Sequence, residues 1–253
     1  MKRWLLGWVF CGFAGIGAAQ VPASVTEPAT GGAVVQAPAA AVVQAPQIGS
    51  IERVSGTVSV TPAAQPARAA REGEPVREGD LIITQANPET LIKLRDETTL
   101  SVRQNSQLRL VEYKFERTPA DGFVANLLKG SLRKVSGLIA RAQPRNVRLT
   151  TPTATVGIRG TDFEVIIIEE ESPQTRAGTY DYVNDGETFL QIASGETLNV
   201  GRDETGLALA FPRPGEAVLQ LIQGRPAFLR GGGFDSMMMQ LSRPPMIMMP
   251  GRR

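Results

Sequence analysis

From Ile48 onwards, apolar residues alternate with polar ones along the chain instead of recurring at helical spacing. The pairs Val58/Val60, Leu100/Val102, Leu108/Leu110, Val147/Leu149 and Phe163/Val165 each put two apolar side chains on one face of an extended segment. Leu91 to Leu94 is a further short apolar segment, and Gly, Asn and Asp punctuate the runs. The stretch GFVANLLK, Gly122 to Lys129, reads equally well as a strand or as a short helix. Gly178 to Gly201 reads as strand, turn, strand, turn, strand. Asn184-Asp185-Gly186 and Ser194-Gly195 supply the residues that tolerate positive φ in tight hairpin turns. Ala208 to Phe211 and Ala217 to Gln223 are expected to form a last pair. The pattern predicts one all-β domain over residues 48–223, built from many short strands as an antiparallel two-layer sandwich or a flattened β-helix-like roll.

The flanks have a different composition. Lys2 and Arg3, the apolar run Trp4 to Ile16 and the small residues Gly17-Ala18-Ala19 read as a secretory signal peptide over residues 1–19, expected to be cut after Ala19, with an uncleaved anchor as the alternative. The run is too short and glycine-rich for a membrane span, so the mature chain is expected not to cross a membrane and to be periplasmic or extracellular. Residues 20–47 are a Pro/Ala-rich linker with one charge, Glu27, and the direct repeat Ala33-Val-Val-Gln-Ala-Pro38 and Ala41-Val-Val-Gln-Ala-Pro46. Proline at this density blocks helix and sheet alike. Residues 224–253 carry five arginines and six methionines without a packing period and read as a disordered tail.

Charge and residue inventory narrow the chemistry. The 27 basic and 25 acidic residues become equal once Lys2 and Arg3 leave with the signal. The tail then holds a surplus of cations, from five arginines against Asp235, and residues 20–223 are net acidic. The basic pI therefore belongs to the tail and predicts no nucleic-acid partner. The one cysteine, Cys11, and both tryptophans lie in the signal, and the chain has no histidine. The mature chain thus has neither a disulfide nor a Cys/His zinc set, and Ser or Cys triads lack a base or a nucleophile. Ser131-Leu-Arg-Lys134 has the Ser-x-x-Lys spacing of penicillin-recognising enzymes, but that chemistry needs both groups on one helix face and the flanks predict a strand. Glu169-Glu170-Glu171 reads as a solvated strand end, with paired-carboxylate glycosidase chemistry as the alternative. Asp181, Asp185 and Gly186 imitate the start of a calcium loop, but Val183 and Ile192 stand where ligands belong. The tail methionines suit partner docking better than copper(I), having no histidine support. No cofactor is expected.

The tetrapeptide Gly157-Ile-Arg-Gly160 shares a Gly-x-x-Gly pattern with nucleic-acid and phosphate loops, which open or join helices. Here alternating strands flank it, so a sharp turn or bulge in a sheet is expected, with Arg159 partly buried against an acceptor. Phe163 is expected to pack inward and Thr161 to tie the turn by its hydroxyl.

In this setting LTTPTATVGIRGTDFEV resembles the signature of the FecR domain family, an extracytoplasmic bacterial β domain in which a Thr-Pro segment leads into Arg-Gly-Thr-x-Phe. REGDLIIT, residues 77–84, resembles the family's Gly-Asp, apolar pair and Thr. LIKLRDETTLSV resembles its strand, acidic turn, strand unit, and LLKGSLR its strand with a central Gly. The likeness runs from Ile51 to Val165, weaker through Val200, and rests on Gly79, Asp80, Thr84, Pro152, Gly157, Arg159, Gly160, Thr161 and Phe163 as structural signature positions. Glu97 stands where the family usually has Gly, which leaves that turn type open. The resemblance implies an all-β fold without known catalysis. The family's founding members also carry a cytoplasmic anti-sigma segment and a membrane helix, to which no stretch of this sequence corresponds, so sigma-factor control is not expected to carry over. The expected role is a non-enzymatic binding or scaffold module of the bacterial envelope, engaging an envelope protein or polysaccharide. The alternatives are an envelope-sensing component that signals through a separate membrane partner, and a polysaccharide-acting enzyme.

Overall fold

The computed structural model describes residues 45–86 and 89–229. Residues 1–19, read from sequence as a signal peptide, almost all of the expected linker and the methionine-rich part of the expected tail lie outside the described residues. Among the described residues there are eighteen strands: β1 Gln47–Ser55, β2 Val58–Thr61, β3 Arg68–Ala69, β4 Pro75–Arg77, β5 Leu81–Thr84, β6 Glu89–Leu94, β7 Thr99–Val102, β8 Gln107–Lys114, β9 Gly122–Lys129, β10 Ser131–Val135, β11 Val147–Thr150, β12 Thr155–Ile158, β13 Asp162–Ile168, β14 Gly178–Asp185, β15 Thr188–Gln191, β16 Thr197–Val200, β17 Glu204–Leu209 and β18 Leu219–Gln223. One short helix, α1 (Leu138–Ala142), follows β10.

The strands form two nine-stranded sheets. The first runs β18-β17-β14-β13-β10-β7-β6-β1-β4 and the second β16-β15-β12-β11-β9-β8-β5-β2-β3. Beyond the first few strands the chain lays about two strands in one sheet, crosses, and lays two in the other, advancing steadily along both. The two expected architectures are thus one object, a two-layer sandwich wound like a flat roll. Pairing is antiparallel except between β9 and β11, which run parallel: the single strand β10 of the first sheet intervenes, and α1 and the turn after it then cross back beside the start of β9, where Asn146 donates to the Asp121 carbonyl at 2.9 Å. Neither sheet closes on itself, and β4, β18, β3 and β16 are edge strands.

The period-2 pattern builds the core directly. Leu100, Leu132, Phe163, Val165 and Val183 point inward from the first sheet against Ile82, Leu108, Leu127, Leu149, Val156 and Leu190 of the second. Burying such side chains contributes roughly 1.5–3 kcal/mol each. GFVANLLK is a strand, its alternation deciding against helix. Asn184-Asp185-Gly186 does not close a hairpin within one sheet. It carries the chain from β14 in the first sheet to β15 in the second, with Gly186 at φ 86°, whereas Gly195, φ 89°, does turn the β15–β16 hairpin. Glu97 adopts φ 69°, so the acidic turn keeps the conformation a glycine would take without strain.

The outer face of the first sheet carries a smaller apolar patch, Tyr180, Leu207 and Leu209, covered by Phe228. Tyr180 and Phe228 meet edge to face at 5.0 Å. Residues 224–229, assigned to the tail by composition, are therefore packed: Ala227–Leu229 form a 3-10 turn and Leu229 is buried. Phe228 and Leu229 dock there together with Arg225, whose guanidinium bonds the Glu164 carboxylate at 2.7 Å.

Candidate functional site

Between β10 and β11 the chain must cross from one sheet to the other, and the sequence GLIARAQPRNVRL makes the crossing. Ile139 and Ala140 bury themselves as α1 begins, and Pro144 ends the helix and opens a 3-10 turn, Pro144–Asn146. The acidic turn holds the start of this segment. The Asp96 carbonyl accepts the Leu138 amide at 2.7 Å, its carboxylate accepts that of Ile139 at 3.3 Å, and the Thr98 hydroxyl accepts that of Gly137 at 3.1 Å. A Cβ at Gly137 would stand 2.1 Å from the Asp96 oxygen, so only glycine fits there. With the apolar side chains anchored inward, Arg141 and Arg145 project to solvent. Alternation in β11 buries Val147 and Leu149 and turns Arg148 outward beside them.

These arginines line a groove of about 700 Å³ on the outer face of the second sheet, together with Pro144, Arg159, Gly160, Phe189 and Gln191. Register places Arg148 opposite Gly157 and Gly157 opposite Phe189, so the three form one row across β11, β12 and β15. The Phe189 ring lies over Gly157: a Cβ there would come within 2.0 Å of its tip. Arg159 and Gly160 close one end of the row, with Gly160 at φ 70°. No acidic residue lines the groove. The guanidiniums of Arg141, Arg145 and Arg148 have no ion-pair or hydrogen-bond partner among the described residues. Arg159 has one weak partner, the Glu187 carboxylate at 3.4 Å. Four cations in one concave surface repel each other, and an anion relieves that repulsion.

The Gly157–Gly160 motif differs from its expected form in three ways. The strand β12 continues through Ile158, so the turn is confined to Arg159-Gly160, and Gly157 is a strand residue whose missing side chain makes room for Phe189. Arg159 is not buried: its side chain is 61% exposed, because Val156 and Ile158 take the inward positions of β12 and the same alternation turns the next residue outward. Thr161 ties the turn through its backbone, its amide reaching the Ser136 hydroxyl at 3.2 Å and its carbonyl accepting the Ser136 amide at 3.0 Å. Its own hydroxyl is buried without a hydrogen-bond partner among the described residues. Phe163 packs inward, fully buried.

The other signature positions are scattered and structural. Gly79, φ 86°, and Asp80 turn the chain into β5: the Asp80 carboxylate accepts the Arg77 amide at 2.8 Å, and the Gly79 amide reaches the Leu110 carbonyl at 2.6 Å. Burial pushes the Asp80 carboxyl above its ordinary range. The buried Thr84 hydroxyl accepts the Ser106 amide at 2.9 Å. Pro152 is the exposed second residue of the Thr151–Ala154 turn joining β11 to β12, the position where its fixed φ is favoured. Of the signature positions Arg159 and Gly160 line the groove, and Gly157 lies beneath its Phe189 ring; Arg141, Arg145, Arg148, Phe189 and Gln191 are among the lining residues that motif reasoning missed.

The remaining chemical motifs are placed as follows. Ser131 and Lys134 lie on β10 with Lys134 turned into the core, where its ammonium donates to the Ser136 hydroxyl at 3.1 Å between Phe123 and Phe163. Desolvation pushes it down to about 8. Glu169 and Glu171 are solvated and paired with Lys129 and Arg176. No group of three or more metal-ligating side chains occurs among the described residues, and no helix there is long and apolar enough to cross a membrane.

A wound two-sheet domain with an Arg-Gly-Thr turn at its crossing defines the structural class. Residues 80–181 match the family model described as FecR protein, and this stretch of the chain is a FecR domain. No curated protein matches the sequence. Two crystal structures of a protein from Parabacteroides distasonis ATCC 8503, provisionally described as an anti-sigma factor, are similar at 16% and 14% identity, each with TM-score 0.46, covering 64% of this chain and 73% of that one. A structure described as a cell surface anchoring domain is similar at 24% identity and TM-score 0.24, covering 24% of this chain and 82% of that one.

Proposed function

We propose that this chain is a non-catalytic binding module of the bacterial cell envelope, and that the arginine groove is its binding face for an anionic ligand. The FecR match supports an envelope protein related to signalling. The observation that carries the groove is the set of three guanidiniums without a partner among the described residues, with Arg159, around one concave surface whose lining holds no acid. An evolved structural surface pairs or disperses such charges; a groove that concentrates them favours anions. The volume, about 700 Å³, is in the range of ordinary ligand sites. The signal-like start supports export, with the linker as tether.

Binding of purified residues 20–253 to an anionic polymer, followed over a salt series, tests this. The parent is retained at low salt and released as screening rises, and the Arg145→Ala/Arg148→Ala variant is released at lower salt. Equal retention of parent and variant would refute the assignment of the groove. The second reading, sensing through a membrane partner, is favoured by the FecR match. It requires a stoichiometric complex with a membrane protein whose stability changes when the groove is filled.

A further inference from the structure

We infer, resting on the groove as the binding face, that its ligand is an acidic polysaccharide: a chain of sugar rings bearing carboxylates. The guanidiniums supply only half of the recognition surface. The other half is Phe189, which lines the groove beside Arg148 and is held there by Gly157, the one residue type that leaves room for the ring. Gln191, two residues along β15 and on the same face, adds an amide that both donates and accepts. An apolar ring, an amide and several guanidiniums together match the three surfaces of a uronate unit. Its C–H face packs on an aromatic ring, its hydroxyls exchange hydrogen bonds with an amide, and its carboxylate takes a guanidinium fork.

The spacing also suits a polymer. Arg148 and Phe189 are separated by two strand-to-strand steps, about 10 Å, and Arg159 and Arg145 extend the cationic surface beyond that row. A single carboxylate cannot engage all of them, whereas a chain with regularly placed carboxylates can. An acidic peptide would use the guanidiniums but has no reason to need the Phe189 ring. A single-stranded nucleic acid would use both, yet such sites stack successive bases on several aromatic platforms, and Phe189 is the only aromatic residue lining this groove.

The test uses the full mature chain and four probes: polygalacturonate, neutral dextran, poly-L-glutamate and an oligothymidylate. The variants are Phe189→Leu, which keeps an apolar side chain over Gly157 but removes the ring, and Arg145→Ala/Arg148→Ala, each checked by thermal melting. The expected result is binding of polygalacturonate well above dextran, weakened about threefold to tenfold by the double arginine variant. Phe189→Leu weakens polygalacturonate and leaves poly-L-glutamate unchanged. If poly-L-glutamate binds as tightly and neither ligand responds to Phe189→Leu, the sugar assignment is overturned and the anion-binding groove stands. Preference for the oligothymidylate, or dextran binding equal to polygalacturonate, also overturns it. If no anionic probe binds, or the arginine variant binds like the parent, the groove itself is refuted and the inference goes with it.

Discussion

Arginines occupy the outer faces of both sheets, under opposite conditions. On the first sheet Arg103, Arg133 and Arg225 surround Glu164, whose side chain is 3% exposed. Arg225 reaches both Glu164 oxygens, at 2.8 and 2.7 Å, and Arg133 grips Asp162 through two bonds of 2.8 and 2.7 Å. On the second sheet Arg141, Arg145, Arg148 and Arg159 stand in the open groove without a comparable acid. The first set fastens neighbouring strands and brings the C-terminal segment down onto the sheet. Among the described residues the second set makes one such contact, the exposed pair of Arg159 with Glu187. Residue type alone therefore does not distinguish a structural arginine from a ligand-binding one; the neighbouring strand's outward residue does.

The comparison breaks most visibly at Glu164. Glu164→Gln leaves three guanidiniums around a neutral amide, and loss of one partner of a buried pair costs about 3–5 kcal/mol. The expected fall in Tm is about 10 °C, measured by calorimetry. A shift within about 1 °C would mean that this network, too, is a loose surface cluster.

Asp181 sharpens the comparison beneath the groove. It faces the core between the sheets, where its carboxylate accepts the Thr188 hydroxyl at 2.6 Å, on the strand that turns Phe189 outward. Desolvation pushes its carboxyl up to about 7 from an ordinary 3.8. The folded state thus keeps a proton that the unfolded chain releases. Asp181's contribution to stability declines as pH rises from about 4 to about 7 and is constant above that. Asp181→Asn is expected to raise Tm relative to the parent at pH 7.5 and to narrow the difference at pH 4, read from melting curves at both values.

Smaller still is the effect of Gly157→Ala, expected to cost about 1–3 kcal/mol because the Phe189 ring must leave its place over the strand. The same change should disturb the groove, so ligand retention should fall with Tm. The smallest effects belong to the groove arginines: Arg148→Ala and Arg159→Ala should each move stability by less than about 0.5 kcal/mol while weakening anion binding. A large loss of stability in Arg148→Ala would show that a partner within the chain holds it.

Much of the fold was legible because alternation is a local property. Val147/Leu149 and Phe163/Val165 announced their strands, and the family resemblance ordered the pieces. The crossing of the chain between sheets was not legible, since the same Asn184-Asp185-Gly186 sequence serves a hairpin or a sheet-to-sheet turn, and long-range pairing decides between them. The burial of Arg159 was misread because the phase of its strand was not followed: Val156 and Ile158 face the core, so alternation turns Arg159 outward. The groove had a signal that went unused. Gly122 to Thr161 contains seven basic residues and no acid. The net acidity of the whole domain concealed that run, and only the fold shows that four groove arginines converge while Lys134 turns inward. Phe189 was hidden more deeply, because its pairing with Gly157 joins residues thirty-two apart in sequence.

The most direct test of the account is the side-chain NMR of the arginine Nε–H groups, recorded on residues 20–253 with and without polygalacturonate. Arg133 should show a slowly exchanging Nε–H in both samples, as its bond to Asp162 requires. Arg141, Arg145, Arg148 and Arg159 should exchange quickly alone and shift, with slowed exchange, when the polymer is added. Slow exchange of the groove arginines before any ligand is present, or polymer-induced shifts confined to Arg133 and Arg225, would contradict it.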